Sequence, residues 1–239
     1  MEVAVIVGVG ARRGLGAAIA RKFAEQGLHC VIVGRTEQRL MKVADEIQAS
    51  GGSCSTYAAD ATSGNDMAGA MDQAGEHGTV CAVIFNVGNN QPIAFDDLEA
   101  DQFEMFWRVC TLAGFHTAKA ALPVLEQSGG SLLFTGASAS LRGRPGFAHF
   151  GSAKSALRIL AQALAKDYGP RGVHVGHVVV DGAINGEMLR TRFAEYLEQL
   201  GEEGALEPDS IAEAFWQLHN QPRNCWTFEL DVRPYKESW

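Results

Sequence analysis

No apolar run in this 239-residue chain approaches the ~18–20 residues that span a bilayer, and no basic segment precedes the first apolar stretch. A cytoplasmic protein with no membrane association is therefore expected. Positive charge is also in short supply, with 20 Lys and Arg against 28 Asp and Glu, a formal net charge of −8. That balance argues against general binding to nucleic acid or to anionic membranes, both of which want basic surfaces. The five cysteines, Cys30, Cys54, Cys81, Cys110 and Cys225, are odd in number and form no CxxC pair. They read as reduced, mostly buried apolar side chains, not as a disulfide or zinc framework. No metal site is expected: the seven histidines are scattered, and His174 and His177, three apart in an apolar run, fall on opposite faces of a strand. Internal repeats, low-complexity tracts and Pro/Ser-rich linkers are absent too, which leaves one domain over residues 1–239. With 46% hydrophobic and 20% charged residues the chain is an ordinary globular sequence, long enough for one large α/β domain.

What is present begins at Val3–Val7, a short β-branched run suited to a strand buried on both faces. Gly8, Gly10, Gly14 and Gly16 follow, and then an alanine-rich helical stretch to about Glu25. Strand, glycine turn and helix in this order make an anion site, because the bare backbone admits a phosphate and the first helical N–H groups point at it. The alternative is a glycine turn kept only for close helix–strand packing. Further strands are predicted at His29–Val33, Cys54–Ala59, Val80–Phe85, Ser131–Thr135, Val173–Val180 and about Cys225–Val232. Helices are predicted at Glu37–Ala49, Gly64–Glu76, a long stretch Ala100–Leu125, Ala148–Tyr168, Glu187–Leu200 and Asp209–Leu218. Strands alternating with helices give a Rossmann-type doubly wound parallel sheet of about seven strands, with helices on both faces. Ligands of such sheets lie outside the carboxyl ends of the strands, so the loops after the strands hold the candidate site.

The loop Gly10-Ala11-Arg12-Arg13-Gly14-Leu15-Gly16 has the spacing GxxxGxG and resembles the cofactor loop of the short-chain dehydrogenase/reductase family, with Val9 where the family has threonine. The resemblance extends from Val3 to about Ile184. It implies cofactor contacts from Gly10, Arg12, Arg13, Gly14, Leu15 and Gly16. The second strand ends in Gly34-Arg35 with no acid; an acid there would bond the ribose 2′-hydroxyl of NAD, whereas arginine accommodates the 2′-phosphate of NADP. NADP(H) is the expected cofactor, read by Arg13 and Arg35. Asp60 and Ala61 stand where the family approaches the adenine, and Phe85-Asn86-Val87-Gly88 resembles its NNAG loop. After the sixth strand Asp181-Gly182-Ala183-Ile184 replaces a Pro-Gly stretch, leaving Gly182 and Ile184 as cofactor candidates, and Gly186 stands where a threonine usually contacts cofactor.

The catalytic stretch departs from the family. Its YxxxK pair, four apart on one helix face, is Phe150-Gly151-Ser152-Ala153-Lys154 here. Lys154 matches; Phe150 has no proton to give. The usual serine position holds Ala137, with Ser138 next to it, and the asparagine position holds Cys110. Lys154 and Ser138 are the candidate catalytic residues. Three explanations stand open. The chain binds NADP(H) but has lost proton transfer; or another group supplies the proton (His149, Ser138, Ser152, Tyr196 or a water on Lys154); or the substrate, such as an activated alkene, needs no strong acid. The family's enoyl reductase branch places a tyrosine seven residues before its lysine, and Phe147 occupies that position. Residues 185–206 are the expected substrate lid. The family's members pair symmetrically, so a homodimer or homotetramer acting on a small molecule is expected, with a silent NADP(H)-binding sensor or partner subunit as the competing reading.

Overall fold

The computed structural model describes residues 1–88 and 90–237; Asn89, in the loop predicted after the fourth strand, lies outside them. Seven parallel strands form one sheet in the order β3-β2-β1-β4-β5-β6-β7. They are β1 (Glu2–Val7), β2 (His29–Gly34), β3 (Ser53–Ala58), β4 (Thr79–Phe85), β5 (Ser131–Thr135), β6 (His174–Val180) and β7 (Glu229–Val232). The chain winds outward from β1 through β2 to β3, then returns to the other side of β1 at β4. The carboxyl ends of β1 and β4 therefore flank the crevice where the connections diverge.

Period-two alternation divides the strands between two cores. In β1, Ala4 and Ile6 face the layer containing α1 (Leu15–Glu25), α2 (Glu37–Ala49) and α9 (Pro208–His219); Val3, Val5 and Val7 face α3 (Gly64–His77), α5 (Ala113–Ser128) and α6 (Ala148–Tyr168). Helical spacing supplies the matching faces, such as Leu15, Ile19 and Phe23 on α1 and Ile211, Phe215 and Leu218 on α9.

Three elements differ from the sequence expectation. The long stretch from Ala100 is α4 (Ala100–Trp107), a π-helical turn at Arg108–Leu112, and then α5. The helix expected over Glu187–Leu200 is two pieces, α7 (Glu187–Arg192) and α8 (Ala194–Leu200), broken at Phe193. The last strand is shorter than predicted: its first residues are held by side chains, with the Thr227 N–H donating to Gln221 Oε1 and Trp226 stacked on His174 at 5.0 Å.

Four histidines whose charged form is disfavoured by burial predict an acid-sensitive fold. His29, His174, His177 and His219 are all pushed below the ordinary imidazole value, chiefly by burial. His177, fully buried in β6, falls to about 4 although Glu229 opposes the shift; its Nδ1 donates to Glu229 at 3.0 Å. Glu229 is clamped in turn by Arg158 at 2.6 and 2.8 Å. Below pH ~6.5 the unfolded chain binds protons that the folded chain refuses, so folding stability falls as pH falls. His177 alone should cost on the order of 3 kcal/mol by pH ~4. Urea titrations at neutral pH and at about pH 5 should show this loss, with a shallower pH slope in His177→Gln; an unchanged slope would remove His177 from the account.

Candidate active site

The glycine loop after β1 is locked to the neighbouring strand end. Gly8 has φ +101°, and a Cβ on it would lie 2.7 Å from the Asn86 carbonyl; one on Gly16 would lie 2.6 Å from the Gly8 oxygen. Neither position accepts a side chain. Gly10 has open space around its Cα, and α1 is preceded by Gly14 at its N-cap, with no side-chain cap and no acid in its first turn. The first N–H groups of α1, including those of Leu15 and Gly16, therefore have no side-chain acceptor, as an incoming phosphate requires.

From this loop a chain of hydrogen bonds crosses the sheet. Asn86 Nδ2 donates to the Gly8 carbonyl at 3.1 Å. The Thr135 hydroxyl, at the end of β5, donates to Asn86 Oδ1 at 3.0 Å. Lys154 Nζ donates to the Thr135 carbonyl at 2.9 Å. Lys154 is buried, and burial pushes its ammonium below the ordinary lysine range, with the nearby Cys110 opposing the shift. Gly88 keeps the space beside it open, since a Cβ there would lie 3.4 Å from Nζ.

On its Phe150 side the surroundings of this ammonium are apolar. Phe150, Cys110 and Ala153 form a buried cluster with Ala137 and Ala139 against it, and Lys154 Nζ lies 5.9 Å from the Phe150 ring centre. The π turn delivers Cys110 to this cluster and is pinned to α6 by the Thr111 hydroxyl, which donates to the Ala153 carbonyl at 2.8 Å. The other proton-donor candidates are committed or exposed. Ser138 hydrogen-bonds to Asp181. His149 is buried against Phe106 and its Nε2 donates to the Gln91 carbonyl at 3.1 Å. Ser152 is exposed, and Tyr196 is half-exposed on α8.

The remaining predicted residues fall at the same carboxyl edge. Arg35 is exposed beyond β2. Asp60 follows β3 and is held below the carboxylate range first by the Thr62 N–H, with the Thr62 hydroxyl and Arg35 adding to this against the cost of burial. Ala61 is buried beside it, and Val87 and Gly88 follow Asn86 after β4. Gly182 and Ile184 follow β6, and the ends of the segment expected to form a lid are joined by the Ile184–Leu206 bridge. Arg12 turns the other way and pairs with Glu46 of α2. With Arg13, Arg21 and Arg190 it lines a cleft of about 870 Å³ whose acids include Glu46, Glu207 and Asp209. That cleft lies on the outer side of the glycine loop, and the Lys154 group takes no part in it. Sequence reasoning missed Thr135; its signal was a single hydroxyl closing an apolar strand.

A parallel sheet with a glycine loop at its switch point and a lysine behind it defines a dinucleotide-binding α/β oxidoreductase scaffold. The family model described as short chain dehydrogenase matches residues 2–197. This chain belongs to that family, whose members bind a nicotinamide cofactor. The structure of a short-chain dehydrogenase from Rhodopseudomonas palustris is 33% identical, with a TM-score of 0.83 and 98% of each chain covered. An alcohol dehydrogenase from Thermococcus sibiricus, complexed with 5-hydroxy-NADP, is 27% identical with a TM-score of 0.85, covering 100% of this chain and 98% of that one. Versicolorin reductase from Emericella nidulans is 31% identical over 198 residues, 82% of this chain and 74% of its own.

Asn86→Ala strands the Gly8 carbonyl and the Thr135 hydroxyl together. Its unfolding free energy in urea should fall by about 1–3 kcal/mol at neutral pH. A loss below about 0.5 kcal/mol would mean that the chain of bonds adds little to the edge it spans.

Proposed function

We propose that this chain is an NADP(H)-dependent oxidoreductase acting on a small carbonyl, alcohol or activated alkene, at a site without the family's tyrosine. The observation that carries this reading is the bonded path from the glycine loop through Asn86 and Thr135 to Lys154. A buried amine at that place, one of its three N–H groups spent on Thr135, has donors left for a nicotinamide ribose and a substrate-side water. The open Gly10 and the uncapped α1 fit a pyrophosphate, and Arg13 and the exposed Arg35 fit the 2′-phosphate. The NADP analogue bound by the Thermococcus relative favours the same cofactor. When bound, NADPH supplies the hydride.

Phe150, Ala137 and Cys110 are read here as occupying the family's tyrosine, serine and asparagine positions. Ser138 gives its proton to Asp181, so it can orient a substrate donor by accepting but cannot protonate. His149 is engaged with Gln91. Lys154, its charged form disfavoured by burial, is thus the proposed acid, acting through a water it holds. The apolar cluster around it supports a second reading, a silent NADP(H)-binding protein that serves as sensor or partner subunit.

Phe150→Tyr separates the two. A positioned proton donor is worth ~10²–10⁴ in rate. The substitution should raise NADPH-dependent reduction across a panel of ketones and aldehydes by at least ~10² over a measurable native rate. Should NADPH bind while neither protein turns over any carbonyl or enone, the silent reading replaces the enzymatic one.

A further inference from the structure

Directly after β6, Asp181 is a carboxylate with a side chain only 2% exposed. One Arg142 nitrogen donates to both its oxygens, at 2.7 and 3.0 Å. Arg233 lies 3.6 Å from it, and the Ser138 hydroxyl bonds to it. Burial alone would raise this carboxyl; Ser138, Arg142 and Arg233 together outweigh burial and keep it below the usual carboxylate range. A buried ion is costly unless it is paired and hydrogen-bonded, so Asp181 and its partners form one fixed unit.

That unit is satisfied on one side only. Arg142 spends a single nitrogen on Asp181, and among the described residues its Nε–H and Nη1–H groups have no partner. Its side chain is 32% exposed. Arg142 also follows the turn Ser138–Ser140, in the loop whose Ala137 packs on the cluster of Cys110, Phe150 and Ala153, and Asp181 precedes Gly182. The guanidinium is therefore held from behind at the carboxyl edge beyond β5 and β6, with its Nε–H and Nη1–H groups unspent. The tail after β7 braces the same loop, through Arg144–Glu237 at 3.8 Å, and reaches the lid, where Lys236 donates to the Glu202 carbonyl at 2.6 Å.

We infer that Arg142 is a specificity-determining residue that receives the carboxylate of an anionic substrate, an oxo acid or hydroxy acid, with Asp181 as its positioning residue. This rests on the oxidoreductase reading for its reaction but not for its binding. One of the unspent N–H groups can meet a carboxylate in a charge-assisted bond, and a preset geometry removes the ordering cost of a free arginine.

Isothermal titration with benzoylformate and with its methyl ester, on the protein alone and with NADPH, tests this. The wild type should bind the acid at least ~tenfold more tightly than the ester, as a charge-assisted bond requires. Arg142→Gln should weaken only the acid and leave NADPH affinity unchanged, and Arg142→Lys should restore part of the preference. Absence of an acid preference in the wild type, including no binding of either probe, overturns the assignment, as does a preference that survives in Arg142→Gln. Equal weakening of both probes with a lower melting temperature would make Arg142 a structural staple and overturn it as well. If NADPH does not bind, the oxidoreductase reading fails separately, and the acid–ester comparison on the free protein still decides the role of Arg142.

Discussion

A buried lysine ammonium must find an acceptor, and in this protein the acceptor is a strand-end carbonyl. Lys154 of α6 reaches the Thr135 carbonyl, Thr135 reaches Asn86, and Asn86 reaches Gly8. Each bond joins a different element, so α6, β5, β4 and the glycine loop are fixed relative to one another at the edge where ligands of such sheets bind. The glycines complete the constraint by sterics: Gly8 and Gly16 leave no room for side chains between α1 and the Asn86 strand end. A site that must hold a dinucleotide at one end and a reacting carbon at the other needs this rigidity.

The same edge holds two contrasting environments. On one side of Lys154, Phe150, Cys110 and the alanines supply no hydroxyl, and the polar partner of the amine is the Thr135 carbonyl. A few residues along the β5 loop, Ser138 and Arg142 converge on Asp181 in a buried ionic unit. On the proposed reading, proton-transfer capacity is low around Lys154, and charge is placed farther along the same edge. That distribution suits binding energy taken from an ionic group and chemistry carried by hydride transfer.

Most of the architecture was legible in the sequence because it is written in local patterns. The β-branched runs marked both-face-buried strands, the glycine spacing marked the turn after β1, and the alternation of strands with helices gave the parallel sheet. What stayed hidden depends on contacts between distant segments. The π turn at Arg108–Leu112 keeps a helical appearance in periodicity, so Ala100–Leu125 read as one helix. The pairs Arg142–Asp181 and Arg158–Glu229 are 39 and 71 residues apart, and no window in the sequence sees both partners. Arg12 read as a phosphate contact from its place in the loop; its pairing with Glu46 emerges only once α2 is packed beside α1. The shortened β7 has the same origin, since its start is set by Gln221 and His174 and not by its own residues.

Everything proposed for this site presupposes that the glycine loop receives a phosphorylated nicotinamide cofactor. Titration of the purified protein with NADPH and with NADH, followed by cofactor fluorescence, addresses that directly. NADPH should bind at least ~tenfold more tightly than NADH, the margin that charge-assisted contacts from Arg13 and Arg35 to a 2′-phosphate would give. Binding of neither cofactor, or tighter binding of NADH, would contradict the account and leave the loop as a packing device between α1 and the sheet.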